Sequence, residues 1–282
     1  MSIGEETVSI DNTRHAPING KTKVIVLMAW PADHIRTPTF FNALCAERGI
    51  NAVMVPWAVR PEHLSDAWNG LRFVDNLAGV VLTIPHKQAA AALCDSLEDD
   101  AARLGVVNTV RRNADGTYTG RMYDGVGFVD GLRNQGVTLE SQRVLLLGAG
   151  GAATAIALAL ARADVGALTI ANRSPEKAQQ LAQLIRQHAP HARVEAGSTD
   201  PRGHDIVVNA TSLGLKEGDA LPCDVARIEP GVVVAEVVMQ PPVTPLLSAA
   251  AKRGARTHLG ERMVTAQLER FVEFLLDTEV RS

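Results

Sequence analysis

One stretch constrains this chain more than any other: Val144-Leu145-Leu146-Leu147-Gly148-Ala149-Gly150-Gly151-Ala152-Ala153. Four apolar residues run into a glycine turn, and an alanine-rich helical pattern opens directly after it. A dinucleotide site requires that order. Gly148 permits the tight turn, Gly150 lets the backbone approach a pyrophosphate, and the small Ala153 lets the helix pack close to the strand. The first helical N–H groups, those of Gly151 and Ala152 among them, then face the phosphates with the positive end of the helix dipole. A bare Gly-x-Gly-x-x-Ala also occurs in ordinary strand-to-helix turns, so the flanking strand and helix carry the reading.

The rest of the chain repeats this strand-then-helix rhythm. A strand is expected over 23–30, ended by Pro31. Thr37-Pro38 reads as an N-cap with proline at the first helical position, opening a helix to Arg48. Further strands are expected over 51–55 and 77–84, with a helix over 61–72 between them. Asp115-Gly116 marks a hairpin between 106–112 and 116–121, placed at an edge of the first sheet. A helix over 124–135 leads to the glycine turn. After that turn, strands follow at 167–171, 206–209 and 232–238, with helices at 175–188, 244–253 and 261–277. Such alternation predicts an α/β chain with mostly parallel sheets. Two domains follow: an N-terminal α/β domain over 21–120 plus 243–282, left for the substrate, and a Rossmann-type nucleotide-binding domain over 121–242. Residues 1–20 read as a disordered lead, too polar for a secretory segment.

Composition removes several function classes. Of 282 residues, 46% are hydrophobic and 21% charged, with a net charge of −3. No basic excess points to nucleic acid, and every long apolar window is broken by charge, Gly or Pro, so no membrane span is expected. Cys45, Cys94 and Cys223 lie far apart and without metal-ligand spacing. That fits a reducing cytoplasm, no disulfide framework and no metal. The expected partner is a small molecule, bound by a monomer or homodimer.

The second strand after the glycines decides between NAD and NADP. An NAD site places an acid at its end, about 20 residues past the turn. Here the strand ends in Asn172-Arg173-Ser174, and Asp164 falls before it. Arg173 can stack on adenine and pair with a 2′-phosphate, and Lys177 follows one turn later. The residues point to NADP.

From Lys23 onward the chain resembles the shikimate dehydrogenase family. That family's Asn-Pro-Ile-x-His-Ser-x-Ser-Pro appears as Trp30-Pro31-Ala32-Asp33-His34-Ile35-Arg36-Thr37-Pro38. Its Asn-Val-Thr-Val-Pro-Phe-Lys appears as Val81-Leu82-Thr83-Ile84-Pro85-His86-Lys87, and its Gly-Ala-Val-Asn-Thr as Gly105-Val106-Val107-Asn108-Thr109. Asn-Thr-Asp-Gly-x-Gly becomes Met122-Tyr123-Asp124-Gly125-Val126-Gly127. Asn209-Ala210-Thr211-Ser212-Leu213-Gly214 matches closely, and Arg262-Met263-Val264-Thr265-Ala266-Gln267 matches the last motif loosely.

The resemblance implies an NADP-dependent, reversible oxidation of a ring hydroxyl in a cyclic hydroxy acid, with Lys87 and Asp124 as the catalytic pair. Burial favours a neutral amine that can accept a hydroxyl proton, while a neighbouring carboxylate opposes it. Asn108 and Gln267 match positions that bond ring hydroxyls, with Thr83 beside them. Asn209, Thr211 and Ser212 match the cofactor loop. The departures fall at the substrate's carboxylate: two serines and a tyrosine hold it in the family, and here those positions are Ile35, Thr37 and Met239. Buried polar groups left unpaired cost on the order of 1–3 kcal/mol, so a carboxylate needs another anchor, with Arg36, His34, His86 and Tyr123 as candidates. Alternatives are a dehydrogenase for quinate, aminoshikimate or another cyclic alcohol, and a catalytically silent sensor of NADP or a metabolite.

Overall fold

The structure is a computed structural model that describes residues 18–277. Most of the lead expected over 1–20 lies outside the described residues. Two six-stranded sheets divide the chain.

The first sheet holds β1 (Lys23–Ala29), β2 (Ala52–Ala58), β3 (Leu77–Leu82), β4 (Ser96–Leu97), β5 (Thr109–Arg112) and β6 (Tyr118–Arg121), in the order β2-β1-β3-β5-β6-β4. β1 lies between β2 and β3, parallel to both. Burial on both faces explains why Val24 to Ala29 is a continuous apolar run rather than an alternating one. Helices α1 (Thr37–Glu47), α2 (Leu64–Leu71), α3 (Lys87–Ala91) and α4 (Asp99–Leu104) connect its strands.

The second sheet holds β7 (Arg143–Leu147), β8 (Ala167–Ala171), β9 (Val194–Ala196), β10 (Ile206–Asn209), β11 (Val233–Glu236) and β12 (Arg256–His258), all parallel. Counted from β7, the order β9-β8-β7-β10-β11-β12 reads 3-2-1-4-5-6, the doubly wound arrangement. The winding reverses between β7 and β10, so their carboxyl ends open a crevice. Helix α5 (Asp124–Arg133) joins the two halves and packs on α6 (Gly151–Arg162), which follows the glycine turn. A β-carbon on Gly125 would lie 2.3 Å from the carbonyl oxygen of Ala155, so backbone meets backbone there and any side chain would push α5 away.

Several expectations need correction. Thr37 does not cap α1: it is the first helical residue, preceded by Arg36, and no side chain caps that end. The 61–72 segment opens as a short 3₁₀ turn over Pro61–His63 before α2. The hairpin is not at the sheet edge, because β5 pairs with β3 and the two-residue β4 borders β6. The helix expected over 261–277 is two, α9 (Glu261–Thr265) and α10 (Leu268–Leu276).

The assignment of 243–282 to the substrate domain also divides. Helix α8 (Pro245–Lys252) packs Leu246, Leu247 and Ala250 against Leu145, Leu147, Val207 and Val234, and β12 completes the second sheet. α10, joined by Val264 of α9, returns to the first sheet, burying Phe271, Val272 and Leu275 with Ile25, Leu27 and Phe41. Amphipathic spacing marks a buried face without saying which sheet it will cover.

Candidate active site

Lys87 and Asp124 come from separate segments and meet. Lys87 opens α3 just beyond β3, and Asp124 opens α5 just beyond β6. Lys87 Nζ donates to Asp124 Oδ2 in an ion pair whose side chains are 11% and 4% exposed. Removing two charges from water is costly, and such a pair persists where its remaining polar atoms are also satisfied. Asp124 Oδ1 accepts from Asn108 Nδ2 at 2.8 Å. Asn108 Nδ2 also donates to Gln267 Oε1 at 2.8 Å, and Gln267 Nε2 donates to the Met263 carbonyl at 3.1 Å. Asn108 Oδ1 accepts from the Tyr123 amide at 2.9 Å and from Thr109 Oγ1 at 3.1 Å. Lys87, Asp124, Asn108 and Gln267 thus form one buried polar chain drawn from four parts of the sequence. The break between α9 and α10 places Gln267 there, since Gln267 precedes the first residue of α10.

The glycine turn abuts that chain. A β-carbon on Gly151, the first residue of α6, would lie 3.2 Å from Lys87 Cβ. Gly148 has φ +118°, and a side chain there would come within 2.8 Å of the Ala210 carbonyl oxygen. Only glycine suits that turn. A β-carbon on Gly150 would meet nothing within 4 Å, which leaves the backbone open to a phosphate. Ala149 and Ala152, flanking these glycines, are half-buried. No side chain caps α6 and no acid stands in its first turn, so its amino end is free for an anion.

At the end of β8, Arg173 and Lys177 are exposed, and among the described residues neither makes an ion pair. Asn172 Nδ2 donates to the Ser174 carbonyl, and Ser174 Oγ donates to Glu176. After β10, Asn209 Oδ1 accepts from the amide and hydroxyl of Thr211, which shapes the turn through Ser212 that faces Gly148 across the crevice. These features fit a phosphorylated dinucleotide.

The substrate wall is less polar. Ile35, Tyr123 and Met239 pack against the apolar cluster around Phe271 and Val264, and Thr37 is buried at the start of α1. Thr83 is half-buried just past β3. Two of the proposed replacement anchors are committed elsewhere. The Tyr123 hydroxyl accepts from Arg121 at 3.2 Å, and the buried His86 bonds the Val59 carbonyl at 2.8 Å. Burial pushes the His34 pKa down against the pull of Asp33, which favours the neutral ring. Arg36 is exposed and makes no ion pair among the described residues.

One buried group escaped the sequence reading. Glu236, ending β11, is fully buried and bonded to Asn209 and Thr244. Glu236 falls inside the strand expected over 232–238, and nothing in its spacing marks it. A cavity of about 440 Å³ lined by Arg143, His204, Asp205 and Arg256 lies at the amino ends of the second sheet's strands, away from this chemistry.

Known proteins resemble this chain over most of its length. Residues 27–110 match the family model for a shikimate dehydrogenase substrate binding domain, and residues 132–214 match that for shikimate / quinate 5-dehydrogenase. The shikimate dehydrogenase (NADP(+)) of Rubrobacter xylanophilus is 40% identical over 256 residues, 89% of each chain. A crystal structure of a shikimate dehydrogenase in complex with NADP+ is 31% identical with a TM-score of 0.85, covering 94% of this chain and 93% of that one. The ligand-free 5-ketofructose reductase of a Gluconobacter strain is also 31% identical, with a TM-score of 0.79 over 93% of this chain and 96% of that one.

Proposed function

The chain belongs to the shikimate dehydrogenase family, and from that premise we propose that it oxidises a secondary ring hydroxyl reversibly with NADP, with shikimate as the leading substrate and 3-dehydroshikimate as the product. The observation that carries the reading is the buried Lys87–Asp124 pair against Gly151 at the amino end of α6. Bound NADP supplies the hydride acceptor. As the neutral amine, once its own proton has left, Lys87 Nζ takes the hydroxyl proton, and Asp124 orients that amine while Asn108 ties the acid to Gln267. With a ring in place, Asn108, Gln267 and Thr83 bond its other hydroxyls. Arg173 and Lys177 hold the 2′-phosphate, and Gly148 to Ala152 with Asn209, Thr211 and Ser212 cradle the rest of the cofactor.

A second reading is favoured at one end of the pocket. Ile35 and Met239 present apolar surface where the family places carboxylate ligands, and the 5-ketofructose reductase named above takes its name from a sugar without a carboxylate. An uncharged cyclic polyol is then the substrate; quinate and aminoshikimate keep the carboxylate and would need Arg36 as the cation that segment offers an acid. A silent NADP or metabolite sensor would have no chemical need for the buried pair.

Free thiols at all three cysteines support a reducing, cytoplasmic setting. No helix among the described residues is long and apolar enough to cross a membrane. We take the enzyme to act as a monomer or homodimer.

The test is NADP+ reduction with shikimate, quinate and a panel of uncharged cyclic polyols. Turnover of shikimate supports the first reading, and turnover of the polyols alone supports the second. Tight NADP+ binding with no turnover of any of them would overturn both.

A further inference from the structure

Glu236 is the most deeply buried acid that the chemistry above leaves unused. Its carboxylate joins three segments. Asn209 Nδ2 donates to Oε2 at 2.9 Å, and Thr244 Oγ1 donates to Oε1 at 2.7 Å. The backbone amide of Val238 also supports it, on the segment that leads to Met239. Each partner has a second task. Asn209 turns its oxygen to Thr211 and its amide to the Leu213 carbonyl at 3.0 Å, so it shapes the 209–214 turn. Thr244 caps α8 by accepting from the Leu247 amide at 3.2 Å.

No cation contacts Glu236 among the described residues. The titratable group facing it is Cys223, whose thiol burial holds neutral at about 11, with Asp224 beside that cysteine. Burial pushes the carboxyl of Glu236 up to about 7, against the pull of its hydrogen bonds. An acid kept at such a place does not serve stability, because a neutral side chain of the same shape would avoid the desolvation. What it offers is two charged acceptors at a fixed separation. They lock Asn209, and with it the turn opposite Gly148, against the rigid start of α8.

We propose that Glu236 is a positioning residue for the cofactor: it fixes the 209–214 turn through Asn209 so that the crevice between β7 and β10 is formed before NADP arrives. The proposal rests on the reading of that turn as part of the cofactor site.

The test compares Glu236→Gln and Thr244→Val with the parent protein at about pH 8, by calorimetric titration with NADP+, by thermal melting without cofactor, and by steady-state kinetics. In Glu236→Gln one amide N–H₂ faces a former donor, so Asn209 or Thr244 loses its hold. The dissociation constant for NADP+ is expected to rise about tenfold, and kcat at saturating cofactor to fall by less than that. The cofactor-free melting temperature stays level or rises. Thr244→Val, which keeps the charge but frees one oxygen, should weaken NADP+ in the same direction and carries the test if Glu236→Gln does not fold. Unchanged NADP+ affinity in the folded variants, or in Glu236→Gln a loss of affinity matched by a fall in melting temperature, overturns the proposal; Thr244→Val, which also loses the cap of α8, is read by affinity alone. A parent protein that does not bind NADP+ at all overturns the cofactor reading itself, a distinct result.

Discussion

Gly151 and Lys87 are in near contact: a β-carbon on the glycine would stand 3.2 Å from Lys87 Cβ. The residue that opens the phosphate-facing helix therefore also forms the wall behind the amine. On the proposed reading, this contact couples the position of the cofactor to that of the proton acceptor.

Replacing that glycine tests the coupling. Gly151→Ala puts a methyl group against the base of the Lys87 side chain, which its own backbone holds and which cannot swing aside. Misplacing a reacting group by a fraction of an ångström has large effects on rate. We expect kcat to fall about tenfold, with NADP+ binding weakened less. Parent-like kcat in this variant would show that the contact is slack.

Lys87→Met removes the proton acceptor and should lower kcat by about 10²–10⁴-fold while NADP+ affinity holds. It also leaves Asp124 buried without its cation, a loss on the order of 3–5 kcal/mol. The double variant Lys87→Met/Asp124→Asn should recover most of that stability in urea melts and none of the turnover. Recovery of turnover would remove the pair from the chemistry.

Arg173→Ala should raise the dissociation constant of NADP+ at least tenfold more than that of NAD+, since the two differ by the 2′-phosphate proposed to pair with the guanidinium. Raising salt should narrow the gap in the parent. Equal losses for both cofactors would assign the 2′-phosphate elsewhere.

His258 gives a stability prediction with a defined sign. Its ring stands edge-on to Phe128 with centroids 6.0 Å apart, and neither ring nitrogen has a hydrogen-bond partner. Burial, aided by the charge of Arg262, pushes its pKa down to about 4. The unfolded chain takes that proton near 6.5, so the folded state binds fewer protons between those values and stability is lost as pH falls through them. The loss is on the order of 2 kcal/mol by about pH 5. His258→Leu should be more stable than the parent at that pH, with the advantage shrinking by about pH 8. Parallel urea-melt profiles for the two proteins would refute the account.

Much of this architecture could be read from local pattern. The Gly148 turn, the helix over Pro175–His188 and the strand over Ile206–Asn209 each carry their own punctuation, and the structure places them there. What escaped is what local pattern does not hold. The two-residue β4 and the three-residue β12 are too short for any period to show, and each is defined by its pairing, β4 with β6 and β12 with β11. Gln267 looked like a residue in mid-helix, and the chain breaks there to turn it towards Asn108. Tyr123 and His86 resembled anchors by position, yet Arg121 and the Val59 carbonyl had already engaged them. Glu236 was invisible because its meaning depends on Thr244 and Asn209, which only the folded sheet brings beside it.

The return of α10 to the first sheet, after α8 and β12 have finished the second, means that the substrate lobe is stitched together from both ends of the polypeptide. A recombinant exchange of the cofactor lobe must therefore be spliced at two seams rather than one. Loss of the tail past β12 would strip Gln267 from the hydroxyl-handling end and uncover Phe41 and Leu27, leaving the glycine turn untouched.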